Sequence, residues 1–234
     1  MPCGDILGEK PGGKRSKMNI AVLVSGGGTN LQAIMDANRN NQLGNVCISI
    51  VISSKPDAYA IKRAEIENIP VLVLSKKEIS DPREYDRRML SALDRAQTDI
   101  VVLAGFLSLL GPDVVSRYEN RIINIHPSLI PAFCGPGMYG IRPHQAAIDR
   151  GVKVSGATVH FVNRNYDDGP IILQKAVCVF NEDTPESLQL RVMTECEQVI
   201  LPKAIRLIAE NRVIVENNKV ILLAEEDAAG KERL

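Results

Sequence analysis

Asn19–Leu31 reads NIAVLVSGGGTNL, and this stretch decides the fold. Its first seven residues form a short apolar, β-branched run, the composition of a strand buried on both faces. The run breaks at Gly26-Gly27-Gly28. Thr29 or Asn30 is then placed to cap a helix carrying Leu31, Ile34, Met35 and Ala37. A buried strand that passes through a glycine turn into a helix opens a parallel α/β sheet. The same loop suits an anion. Glycine lets backbone amides approach closely, and a helix N-terminus carries partial positive charge. A phosphate is the natural occupant; the plainer alternative is a tight turn with no ligand. The dinucleotide fingerprint GxGxxG is not met, because Leu31 stands where its third glycine would be. Ser53-Ser54-Lys55, at the end of the next strand, offers no acid for a ribose diol. No Gly-Lys-Ser/Thr is present for a nucleoside triphosphate.

Outward from this loop, apolar β-branched runs at Cys47–Ser53, Val71–Leu74, Ile100–Ala104 and Ile122–Ile125 read as further strands. Ala58–Glu67 and the amphipathic Glu84–Arg95 read as helices between them. Ala157–Val162 and Ile171–Phe180 are two β-rich runs joined by the polar turn Asn163–Pro170, a pattern that predicts an antiparallel hairpin. A long helix comes next, from Pro185 to Asn211, with Pro185 in its first turn. Val213–Glu216 and Val220–Leu223 form a small hairpin turned at Asn217-Asn218. The fold class expected is α/β, a Rossmann-like three-layer sandwich with a mostly parallel sheet and an appended antiparallel hairpin. Residues 1–17 read as a disordered leader without the apolar core of a signal peptide. Residues 18–223 read as a single domain and 224–234 as a flexible tail.

Bulk composition narrows the function. The 234 residues are 45% hydrophobic, enough for one sizeable core. Lys plus Arg and Asp plus Glu both total 28, so there is no global field to attract nucleic acid or acidic membrane. No apolar run approaches the ~20 residues of a membrane span. The five cysteines, at 3, 47, 134, 178 and 196, are odd in number and contain no CxxC pair. This usage fits free thiols in a reducing, cytoplasmic setting and argues against a disulfide frame or a zinc ribbon.

The fifth strand ends in Ile123-Asn124-Ile125-His126-Pro127-Ser128. Alternation puts Asn124 and His126 on one face, near the carboxyl end of the strand, where open α/β sheets bind ligands. An amide donor beside an imidazole is suited to stabilising an oxyanion and delivering a proton. His160 alternates within its strand and reads as a packed residue. His144 follows Pro143 at a helix start and reads as a surface or capping group. Asp167-Asp168-Gly169-Pro170 closes the late turn. Asp and Gly are ordinary turn residues, and the spacing leaves two readings open: turn chemistry, or a carboxylate that favours the charged form of His126.

VLVSGGGTNLQAI (22–34), VVLAGFLSLL (101–110), INIHPSLIPAF (123–133), SGATVHFV (155–162) and DDGPIILQ (167–174) together resemble the phosphoribosylglycinamide formyltransferase family of purine biosynthesis, over roughly Met18 to Arg212. Asn-x-His-Pro-Ser-Leu marks the wider formyltransferase superfamily; the Ser-Gly-Gly-Gly-Thr-Asn-Leu loop narrows it. The resemblance implies formyl transfer from 10-formyltetrahydrofolate to the amine of glycinamide ribonucleotide, with no metal. It implies Asn124, His126 and Asp167 as the catalytic set. Gly28, Thr29, Asn30 and Leu31 would hold the substrate phosphate, and Glu197 would contact the ribonucleotide. Leu107, Ser108, Leu109 and Leu110 would read the pterin through their backbone. The turn Asn163–Asp167, with Tyr166, would close over the same ring together with Asn124. Arg83 is the candidate for a further folate contact, although Pro82 occupies the position where the family often has arginine. Cys134–Gly140 (CGPGMYG) is longer than the family loop expected there.

The resemblance implies small-molecule partners, no nucleic acid, no membrane, and a monomer or weak homodimer. Three rival readings stand beside it. A formyltetrahydrofolate hydrolase shares the Asn-His-Asp set, but it carries an extra N-terminal domain that seventeen polar residues cannot form. A methionyl-tRNA formyltransferase needs a further C-terminal domain and a surface for tRNA. A non-catalytic Rossmann-type nucleotide-binding module would bind ligand without turnover.

Overall fold

The computed structural model describes residues 17–224. Apart from Lys17 and Ala224, the expected leader and tail lie outside the described residues, as does Cys3. The strands are β1 Met18–Val24, β2 Val46–Ser53, β3 Val71–Val73, β4 Ile100–Leu103, β5 Ile122–His126, β6 Val154–Phe161 and β7 Ile171–Cys178. They form one sheet in the order β3-β2-β1-β4-β5-β6-β7. β1 to β5 run parallel, and β6 is antiparallel to both β5 and β7. β8 Val213–Glu216 and β9 Lys219–Leu222 make the separate hairpin turned at Asn217-Asn218. This is the expected Rossmann-like sandwich with its antiparallel addition.

Alternation along β1 explains why helices cover both faces. Ile20, Val22 and Val24 enter one core with Leu31 and Ile34 of α1 (Thr29–Arg39) and Leu201, Ala204 and Ile205 of α7 (Gln198–Ala209). Ala21 and Leu23 enter the other, with Tyr85, Met89 and Leu93 of α3 (Pro82–Arg95) and Val114 of α4 (Pro112–Arg117). All five of these β1 side chains are fully buried, as a central parallel strand requires. The remaining helices are α2 (Tyr59–Ile66), α5 (Arg142–Arg150) and α6 (Pro185–Val192).

Three features depart from the sequence reading. Gly28, in the left-handed region at φ 72°, occupies the cap position of α1 in place of Thr29 or Asn30, and no side chain caps the helix. The first-turn amides therefore keep their capacity for an external acceptor. The expected helix Pro185–Asn211 is interrupted by a π-helical turn, Met193–Glu197. The residue added in a π turn rotates α6 by about 100° relative to α7 about the helix axis. α4 is absent from the sequence reading because six residues are too few to show a period, although Gly111-Pro112-Asp113 is a start signal.

Strands β1 and β4 are neighbours whose chains leave in opposite directions along the sheet, to β2 and to β5. A crevice opens beyond the carboxyl ends of such a pair. The glycine loop and Gly105–Gly111 both lie there.

Candidate active site

The glycine loop is held from behind. Gly26 carbonyl accepts from Ala60 N–H at 3.1 Å, and Gly28 carbonyl from Gln32 N–H at 2.9 Å. Gly27 carbonyl accepts from Arg63 Nε at 2.8 Å. A β-carbon on Gly28 would lie 2.7 Å from Ala60 Cβ, so only glycine allows α2 to approach this closely. The loop is joined to the strand-four exit as well: Ser25 Oγ accepts from Leu107 N–H at 2.8 Å and pairs with Ser54 Oγ at 2.6 Å.

The π turn delivers Glu197 to the first turn of α1. Asn30 Nδ2 donates to Glu197 Oε2 at 2.7 Å, and both residues are buried. Burial pushes the Glu197 carboxyl up, and the Asn30 hydrogen bond offsets part of that rise. Asn30 Oδ1 is buried without a partner, a polar atom left pointing at no protein donor.

The second cluster grows from the pairing of β5 with β6. Asn124 faces His160 and His126 faces Thr158 across the antiparallel ladder, so all four share one side of the sheet. The strand exit after His126 is fixed by Thr158, whose Oγ1 donates to Ser128 carbonyl at 2.7 Å and accepts from Ile130 N–H at 3.1 Å. The Asp167 turn folds back onto this pair because Gly169 packs on β6. A β-carbon there would lie 1.8 Å from the Phe161 carbonyl oxygen.

Asp167 is thereby shared between two imidazoles, with Oδ2 3.6 Å from His126 Nδ1 and Oδ1 3.6 Å from His160 Nε2. Gly135 N–H donates to Oδ2 at 2.8 Å. His126 Nε2 lies 3.0 Å from Phe133 carbonyl oxygen. A carbonyl only accepts, so Nε2 carries hydrogen, and Nδ1 is the ring nitrogen that faces Asp167. His160 Nδ1 donates to Phe161 carbonyl at 2.8 Å. Burial holds the His160 ring in its neutral form, with nearby His126 adding to the effect against Phe161 and Asp167. Its Nε2 is then an acceptor for Asn124 Nδ2 at 3.2 Å, and that contact turns the Asn124 amide.

His160 is packed within β6, as the sequence reading has it, and it also lies against the cluster. The pairing register of β5 with β6 is the missing signal. His144 is corrected. It is fully buried, neither ring nitrogen has a partner, and burial with nearby His126 pushes it down to about 4.

The remaining expected residues fall around these two clusters. Leu107 and Leu109 are exposed at the crevice, and Ser108 and Leu110 are half-buried. Asn163 accepts from Asn165 N–H at 2.9 Å, shaping the turn that carries exposed Tyr166. Arg83 is exposed in the first turn of α3, its backbone N–H held by Asp81. The Cys134–Gly140 loop supplies Gly135 N–H to the cluster, and Phe133, just before it, supplies its carbonyl. Burial, Asp167 and Asp168 push its Cys134 thiol up.

The formyl transferase family model matches residues 18–205, and the chain belongs to that family. It is 39% identical over 201 residues to phosphoribosylglycinamide formyltransferase of Escherichia coli (strain K12), covering 86% of this chain and 92% of that protein. The crystal structure of glycinamide ribonucleotide transformylase 1 from Symbiobacterium toebii superposes with a TM-score of 0.84 at 40% identity, covering 90% of this chain and 96% of that one. A formyltetrahydrofolate deformylase from Pseudomonas syringae pv. tomato str. DC3000 gives 0.81 at 28% identity, covering 90% of this chain and 67% of that one.

Proposed function

We propose that this formyltransferase moves the formyl group of 10-formyltetrahydrofolate to the amine of glycinamide ribonucleotide, giving formylglycinamide ribonucleotide and tetrahydrofolate. The observation that carries the reading is the meeting of Asn124, His126 and Asp167 at the crevice shared with an uncapped glycine loop. Near-complete mutual coverage with glycinamide ribonucleotide formyltransferases supports the choice of acceptor.

The loop amides of Gly28, Thr29, Asn30 and Leu31 take the phosphate, and Glu197 faces the ribonucleotide. Exposed Leu107 and Leu109, with the backbone through Ser108 and Leu110, take the pterin under the Asn163–Asp167 turn. The amine nitrogen attacks the formyl carbon. Asn124 Nδ2 and His126 stabilise the oxyanion that forms. Collapse breaks the bond from carbon to N10. His126, protonated at Nδ1 and held by Asp167, supplies the proton that N10 takes up. The amine loses one proton over the cycle, so His126 returns to its starting state. The route needs no metal.

Hydrolysis of the folate is the second reading, motivated by the deformylase neighbour. The two differ in one observable. Transfer requires the amine for tetrahydrofolate release, whereas hydrolysis releases it in water alone.

A further inference from the structure

We infer that Arg63 is a positioning residue for the phosphate end of the substrate, acting through the glycine loop. The inference rests on the reading of that loop as a phosphate site. Arg63 lies one turn into α2 and is half-buried. Its Nε donates to Gly27 carbonyl at 2.8 Å, and Nη1 donates to Gln32 Oε1 at 2.9 Å. Its guanidinium carbon sits 5.1 Å from the Tyr59 ring centroid. Both hydrogen-bond acceptors are neutral, and among the described residues no carboxylate pairs with Arg63. A guanidinium usually finds a carboxylate or a phosphate for its fork of donors. Here its positive charge stands uncompensated directly behind the loop.

The contacts also dictate where the loop amides face. Peptide N–H and C=O groups point in opposite directions. The Ala60 amide and Arg63, both of α2, draw the Gly26 and Gly27 carbonyls to the protein side, while the Gly28 carbonyl opens the hydrogen-bond ladder of α1. The next amides along the chain are therefore turned toward the crevice, where an anion gathers them. Of the two holds from α2, Arg63 is the one made by a side chain, and it is charged. Buried Asn30 Oδ1, unpartnered in the next turn, is a second sign that this end of α1 awaits a polar ligand. The ligand class is a phosphate monoester on a ribose carrying a free amine donor.

Arg63→Met removes both the charge and the fork; Arg63→Lys keeps the charge alone. Steady-state rates are measured with glycinamide ribonucleotide and 10-formyltetrahydrofolate, and ribose 5-phosphate affinity is measured by calorimetry. The expected result for Arg63→Met is a rise of about ten-fold or more in KM for the ribonucleotide. kcat should stay within about three-fold and KM for the folate should not move. Ribose 5-phosphate should weaken by the same factor, with Arg63→Lys in between. The non-phosphorylated glycinamide riboside, used at high concentration, should be turned over equally by wild type and variants. A ribonucleotide KM within two-fold of wild type overturns the inference. So does an equal loss with the riboside, which marks a purely structural role. If Arg63→Met does not fold, Arg63→Lys and Gln32→Met carry the same comparison. If wild type turns over no ribonucleotide, the functional reading fails instead, and the ribose 5-phosphate affinities still decide the role of Arg63.

Discussion

Gly28→Ala perturbs the glycine loop at the point where two constraints meet. Gly28 has φ 72°, and a β-carbon added there lies 2.7 Å from Ala60 Cβ, 2.9 Å from Ala60 Cα and 3.4 Å from Arg63 Cδ. Holding an L-residue in the left-handed region costs about 1–2 kcal/mol. The contact with Ala60 is partly backbone and cannot rotate away, so relief requires α2 to move, at an overpacking cost of about 1–3 kcal/mol. The sum is a loss of roughly 2–5 kcal/mol in unfolding free energy, read from urea denaturation at neutral pH. Movement of α2 also withdraws Ala60 N–H from Gly26 and Arg63 from Gly27. The KM for glycinamide ribonucleotide should then rise more than that for the folate. Gly26→Ala is the control, since its β-carbon meets nothing within 4 Å. A Gly28→Ala protein within about 0.5 kcal/mol of wild type, an effect no larger than an ordinary surface substitution, would contradict a close approach that only glycine allows.

Asp167→Asn keeps an acceptor for Gly135 N–H but loses the charge facing His126; kcat should fall by about 10²-fold, and by about 10²–10⁴-fold for His126→Ala, with ribose 5-phosphate affinity unchanged in calorimetry. Retention of full activity by Asp167→Asn would make the residue a turn element only. Gly169→Ala should cut kcat while leaving the ribonucleotide KM near normal, because a β-carbon 1.8 Å from Phe161 carbonyl lifts the Asp167 turn off β6. His144 is neutral in the fold and has its folded value pushed down to about 4, below the ordinary 6.5. Its contribution is complete above 6.5, and is lost on falling toward 4 as the unfolded chain takes up the proton first. Between pH 7 and 5 that is about 2 kcal/mol. Denaturation curves for His144→Leu should lack that part of the acid sensitivity, and identical pH slopes for variant and wild type would contradict it.

The sheet is legible in the sequence because each parallel strand is a β-branched run bounded by turn residues. The Asn163–Pro170 turn likewise announces an antiparallel hairpin. Asn124 and His126 pair from alternation alone. His160 does not, since its place depends on the register of β5 against β6, a tertiary fact absent from local pattern. Asp167 is undecided in the sequence for a related reason. Its turn is folded inward by the contact of Gly169 with the Phe161 carbonyl, and a glycine in a turn has many ordinary uses. The cap of α1 is misread from sequence because Thr and Asn are good caps, yet a left-handed Gly28 leaves the first-turn amides uncapped. His144 is misread because the apolar side of α5 is too short to show which residues face inward.

On the proposed function, the Asn124–His126–Asp167 cluster passes a formyl group to an amine and not to water. Tetrahydrofolate release from 10-formyltetrahydrofolate, monitored with and without glycinamide ribonucleotide, tests it most directly. Release strictly dependent on the ribonucleotide, matched mole for mole by formylglycinamide ribonucleotide, is the expected result. Release at the same rate without the ribonucleotide, with formate as the product, would contradict it.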